Sequence, residues 1–153
     1  MKRYSELLDE CRKTVKEIFP WDLASKIESG EKPLILDVRE PHEFAAMRIN
    51  GSICVPRGVL ETACEWGFDD TIPALVRARE EEIIVVCRSG NRSLFAAQTM
   101  QQMGYKHVLS LQTGLRGWND YEQPLEDDAG NAVDEDFADD FFASKVSKEQ
   151  LGP

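Results

Sequence analysis

Four short apolar runs constrain this chain more than anything else in it. They are "PLILDV" at 33–38, "SICVP" at 52–56, "IIVVC" at 83–87 and "HVLSL" at 107–111. A run that is apolar at nearly every position must be buried on both faces, which is the condition of a strand in a parallel sheet covered by helices. The stretches between the runs carry apolar residues at helical spacing. Strands alternating with helices make βαβ units, so the chain reads as α/β, with three layers and a central parallel sheet between helices. Its 153 residues suit one such core.

The flanking segments extend this pattern. Tyr4, Leu7, Leu8, Cys11, Val15 and Ile18 recur at helical spacing, which predicts one amphipathic helix over 4–18, stopped by Pro20. An edge strand near Ile18 and Phe19 is only weakly signalled. Further helices are expected from Asp22 to Gly30, over "REPHEFAAM" from Pro41, over 57–64 and 71–79 around the loop "EWGFDD", over 92–103 up to Gly104, and over "GLRGWNDYE". Beyond Leu125 the chain becomes acidic, with "EDDAGNAVDEDFADD" at 126–140. We expect a solvated extension over 126–136 and a short helix over 137–148, docked through Phe137, Phe141 and Phe142. The organisation expected is an N-terminal helical extension over 1–17, an α/β domain over 18–125, and an acidic, partly helical C-terminal extension over 126–153.

A net charge of −10 argues against nucleic-acid binding and against anionic membrane surfaces. No apolar run is long enough to span a membrane, and the N-terminus "MKRYSELLDECRK" has charges where a secretory signal needs an apolar core, so a cytoplasmic location is expected. The cysteines Cys11, Cys54, Cys64 and Cys87 form no C-x-x-C pair and no zinc spacing with His42 or His107. Neither a metal nor a cofactor is expected. Reduced thiols are the expected state. Cys11 and Cys54 fall on apolar stripes and read as core, while Cys64 is a weaker candidate for a resolving thiol.

Cys87 stands apart. It ends the third apolar run, and "CRSGNRS" leads from it into a helix. Sites in open α/β sheets form outside the carboxyl ends of the strands. The N–H groups of such a turn and of the first helical turn lack intrahelical partners, and with the helix dipole they favour an anion. A thiolate at Cys87 would be stabilised there. Arg88 and Arg92 add positive charge, Ser89 and Asn91 complete the loop, Gly90 permits a tight turn, and Ser93 offers a hydroxyl to the sulfur. The plain alternative is a buried, inert cysteine at a strand end.

The segment C-x-x-G-x-R-S formed by Cys87, Gly90, Arg92 and Ser93 resembles the active loop of the rhodanese family of sulfurtransferases. "LDVREPHEF" is similar to a second family segment, matching at Asp37, Arg39, Glu43 and Phe44, and "TGLRGWNDYEQPL" is similar to a third, at Gly114 and Trp118. The resemblance covers about residues 18–125 and implies a rhodanese-like three-layer fold. Two positions depart from the family pattern: Arg48 stands where a histidine is usual, and Thr113-Gly114 replaces a double glycine. Asp37, Arg39 and Glu43 read as an ion-pair network bracing the site. Arg48 reads as a solvated surface residue, and Trp66 as either a pocket-mouth or a core residue.

The resemblance implies sulfur transfer in which Cys87 becomes a persulfide. The donor would be a small anion such as thiosulfate, drawn in by Arg88, and the acceptor cyanide in vitro or a thiol in the cell. A cysteine phosphatase or arsenate reductase is less well matched. The phosphatase pattern is C-x5-R, whereas four residues separate Cys87 from Arg92, Val86 stands where protein tyrosine phosphatases usually carry histidine, and no general-acid Asp is evident. A persulfide relay acting with a sulfur-carrier protein is the third alternative, motivated by the added elements at both ends.

Overall fold

The computed structural model describes residues 1–153. Five parallel strands form one sheet in the order β1-β5-β4-β2-β3: β1 Lys16–Ile18, β2 Leu34–Asp37, β3 Ile53–Cys54, β4 Glu82–Val86 and β5 His107–Leu111. Eight α-helices accompany it: α1 Tyr4–Arg12, α2 Pro20–Glu28, α3 Pro41–Ala46, α4 Leu60–Ala63, α5 Pro73–Val76, α6 Arg92–Gln102, α7 Gly114–Asp120 and α8 Glu135–Phe142. None of them is long and apolar enough to cross a membrane.

The period-two geometry of β4 divides the core. Ile83 and Val85 point into one apolar cluster with Leu8 and Cys11 of α1, Leu60 of α4, Leu75 of α5 and Leu94 of α6. Ile84 and Val86 point into a second cluster with Leu23 of α2, Leu115 and Trp118 of α7, and Ala138 and Phe142 of α8. These are the two outer layers of the three-layer fold.

At the N-terminus the expected single helix is corrected. α1 ends at Arg12, and Lys16–Ile18 form a strand whose Lys16 and Ile18 pair with Leu109 and Leu111 of β5. Val15 and Ile18 share a helical stripe in sequence but enter opposite clusters, which no single helix face permits. Pro20 does not stop a helix; it opens α2 at a position where its missing N–H costs nothing. The stretch expected as one helix over 57–64 is a 3₁₀ turn at Arg57–Val59 followed by the four residues of α4.

The acidic segment after Leu125 is also more ordered than expected. Arg48 and Glu126 exchange backbone hydrogen bonds in both directions, each at 2.9 Å, and Asp127 accepts the N–H groups of Ala129 and Asn131 at 3.0 and 2.9 Å. Arg48 is therefore no free surface residue: its guanidinium lies 4.2 Å over the Phe44 ring and pairs with Asp128. α8 starts earlier than expected, because Asp134 accepts the Phe137 N–H as an N-cap, and it ends at Phe142. Phe142 is buried, whereas Phe137 points outward at 61% exposure. Trp66 is exposed in the loop after α4, with the Arg77 guanidinium 5.1 Å over its ring.

Ile84 lies fully buried on the central strand, so Ile84→Ala removes apolar contacts that cannot be replaced. Urea unfolding should show a loss of about 3 kcal/mol with little change in the slope of the transition.

Candidate active site

β4 delivers Cys87 to the carboxyl edge of the sheet, and α6 begins five residues later at Arg92. The residue is only 1% exposed. Its Sγ accepts the Gly90 N–H at 3.2 Å and the Ser93 N–H at 3.3 Å, and it contacts Ser93 Oγ at 3.4 Å. The Ser93 and Ser110 hydroxyls lie 2.7 Å apart, both buried. This chain serves either protonation state. A thiol donates to Ser93, which donates to Ser110; for a thiolate the direction reverses and Ser93 donates to sulfur. The sequence reading missed Ser110. The signal for it was a single hydroxyl residue inside the otherwise apolar run "HVLSL".

The loop N–H groups turn inward because its carbonyls are held elsewhere. α7 donates the Leu115 N–H to Cys87 O at 2.9 Å and the Arg116 N–H to Arg88 O at 3.0 Å. That contact requires Gly114, which has φ +62°: a Cβ there would lie 2.5 Å from both the Cys87 and Arg88 carbonyl oxygens. Gly90, at φ +93°, packs against the same junction, where a Cβ would meet Thr113 N at 3.0 Å and Leu111 O at 3.1 Å. Asn91 sits half-buried at the N-cap of α6, and Ser89 is exposed at the loop's outer side.

The expected single network of Asp37, Arg39 and Glu43 resolves into two pairs. Arg39 Nε donates to Asp37 Oδ1 and Oδ2 at 3.0 and 3.1 Å, and Nη2 donates to Oδ2 at 2.8 Å, with both side chains fully buried. Arg39 also donates to the Met47 carbonyl at 2.6 Å, which ties β2 to the end of α3, while its Nη1 has no partner. Glu43 instead takes a two-pronged pair from Arg92 of the cysteine loop, at 2.8 and 2.9 Å. Burial by itself would raise the Glu43 carboxyl. The hydrogen bond from Arg92, the Glu40 N–H and the charges of Arg92 and Arg39 outweigh it and hold the carboxyl at about 2. The Glu43 hydrogen bond in turn raises Arg92 against the opposing effect of burial.

Arg88, expected to face an incoming anion, points elsewhere. Its Nε and Nη2 donate to the Phe142 carbonyl of α8 at 3.1 and 2.9 Å. Cys64 is fully buried, and burial pushes its thiol up although the Tyr105 hydroxyl and the Arg79 charge act in the opposite sense; such a thiol is a poor resolving nucleophile. Cys54 is half-buried rather than core, with its sulfur 3.9 Å from the Arg39 carbonyl. A cavity of about 490 Å³ bounded by Ile27, Ile49, Trp118 and Leu125 includes none of the loop residues, so it has no part in this chemistry.

Two outcomes follow from the geometry. Gly114→Ala forces a side chain into backbone atoms and should lower stability by about 2 kcal/mol or more in denaturant melts. Glu43 has a folded value of about 2 against the ordinary 4.5, so the unfolded chain binds the extra proton as pH falls between them. The stabilisation is complete above 4.5 and is lost towards 2. Glu43→Gln should therefore flatten the fall in stability between pH 5 and pH 2.5, roughly the window these values define. An equally steep fall in the variant would contradict the pairing with Arg92.

Comparison with known proteins agrees with the architecture. The family model described as "Rhodanese-like domain" matches residues 20–121. The chain is 33% identical over 119 residues to "Putative sulfur carrier protein YrkF" of Bacillus subtilis, covering 77% of this chain and 58% of that one, so it spans less than two thirds of that relative's length. It is 28% identical over 111 residues to a sulfurtransferase of Allochromatium vinosum, covering 72% of this chain and 94% of that protein. Among solved structures, a Rhodopseudomonas palustris protein described as "Protein of Unknown Function RPA3614, Possible Tyrosine Phosphatase" superposes with a TM-score of 0.75 at 28% identity, covering 82% of this chain and 96% of its own. With the five-stranded parallel sheet, the cysteine at its carboxyl edge and a family match across two thirds of its length, the chain belongs to the rhodanese-like family.

Proposed function

We propose that the protein is a sulfurtransferase in which Cys87 carries the moving sulfur as a persulfide. The observation that carries this reading is the cradle: one buried sulfur held by two backbone N–H groups and a hydroxyl chain, in a loop with four residues between Cys87 and Arg92. Names of relatives that denote sulfur transfer or sulfur carriage support it.

In the first step the Cys87 thiolate attacks the outer sulfur of thiosulfate or a related donor. A new S–S bond forms, the donor S–S bond breaks, and its electron pair leaves with sulfite. The enzyme then holds Cys–S–S⁻, whose negative charge the inward N–H groups offset. In the second step a nucleophilic acceptor takes the terminal sulfur and the thiolate returns: cyanide becomes thiocyanate, or a thiolate becomes a persulfide. Each half-reaction balances without an added oxidant, and the two give ping-pong kinetics.

Phosphatase chemistry, which the description of the Rhodopseudomonas protein raises, is less well supported. The loop is one residue shorter than the phosphate-binding pattern, and the nearby carboxylates Asp37 and Glu43 are both held in ion pairs rather than free to act as a general acid. A relay that receives sulfur from a protein donor is the second reading. It is favoured by the Arg88 geometry, since two N–H donors of that guanidinium are engaged with α8.

Intact-mass spectrometry after treatment with thiosulfate separates these readings. The enzyme reading expects a gain of one sulfur atom, mapped to the Cys87 peptide, lost on adding cyanide and absent from Cys87→Ser. A free Cys87 thiol that takes up no sulfur from thiosulfate or from a protein persulfide would sink the proposal. Uptake from the protein persulfide alone would favour the relay.

A further inference from the structure

α8 ends without a basic residue in its last turn, and its final carbonyls have no partner within the helix. The Phe142 carbonyl finds one in Arg88, the residue after the nucleophile, through hydrogen bonds of 2.9 and 3.1 Å. The charge sense matches, because the carboxyl end of a helix carries partial negative charge. The helix itself is acidic, with Glu135, Asp136, Asp139 and Asp140 along its eight residues. The helix is seated by side chains remote from the cysteine: Ala138 and Phe142 are buried in the second cluster, and Asn119 of α7 donates to Asp139 at 2.7 Å. The loop's other guanidinium, on Arg92, is already taken by Glu43. α8 lies beyond the residues matched by the family model, so this contact is an addition to the shared domain.

We infer that α8 sets the donor selectivity of the Cys87 site by holding Arg88: with the helix seated the site disfavours small free anions, and with it lifted the Arg88 guanidinium serves them. This rests on the proposed role of Cys87 as the nucleophile. The selectivity is electrostatic, and it reverses without any change in the sulfur cradle itself.

The test compares Cys87 alkylation by iodoacetate, an anion, with alkylation by iodoacetamide, its neutral counterpart, followed on the Cys87 peptide. Ala138→Gln places a bulky amide in the buried α7–α8 contact, and Asn119→Ala removes the bond to Asp139; neither changes the charge. In both, α8 amides should exchange with solvent faster, and the iodoacetate-to-iodoacetamide rate ratio should rise by about fivefold, the effect of one nearby positive charge in a partly screened setting. The rise should shrink in high salt and disappear in Ala138→Gln/Arg88→Gln. KM for thiosulfate should fall by a similar factor, with kcat little changed. An unchanged ratio despite faster α8 exchange, or a rise that survives loss of Arg88, would overturn the inference. So would α8 exchange that neither substitution accelerates. A raised ratio with no sulfur gained from thiosulfate or from a protein persulfide would uphold the latch while overturning the sulfurtransferase reading. Failure of both reagents to label Cys87 in every variant would overturn the inference.

Discussion

The structure depends on how the carbonyls of one loop are disposed. Cys87 and Arg88 give theirs to the first turn of α7, and this leaves the Gly90 and Ser93 N–H groups free to face the sulfur. A backbone segment has equal numbers of donors and acceptors, so a cradle made only of donors forms only if the acceptors are satisfied outside it. Gly114 makes this possible by bringing α7 within hydrogen-bond reach of the loop without a Cβ between them. The site is therefore a property of the β4–α6 and β5–α7 junctions together.

Around this cradle the charged groups act chiefly as braces. The Asp37–Arg39 pair is fully buried and joins β2 to the end of α3, and the Glu43–Arg92 pair joins α3 to the first turn of α6. Taking such charges out of water is costly, and close two-pronged geometry is what offsets that cost. What these pairs provide is a fixed position for a loop whose function is positional. Arg88 is the exception, since its partner belongs to the C-terminal helix.

Most of the sheet was legible because its strands are short and uniformly apolar, and such runs have few places to go but a covered parallel sheet. β5 appears over the expected 107–111, and β2 and β4 fall within a residue or two of expectation. β1 was only weakly signalled, near Ile18 and Phe19, because Val15 and Ile18 extend the stripe of α1 in sequence. Only the open edge of β5 distinguishes a third helical turn from a strand. The order of the 126–133 segment was hidden, since it depends on pairing between Arg48 and Glu126, far apart in the chain.

The same division applies to the site. By itself the sequence determined the nucleophile candidate, the loop length and the glycine that lets it turn, because these are local properties of "CRSGNRS". The identity of each partner was decided by tertiary structure. Glu43 meets Arg92 rather than Arg39, Ser110 completes the hydroxyl chain, and Arg88 turns to Phe142. A guanidinium or a hydroxyl is compatible with many partners, and only the packing of distant elements selects among them.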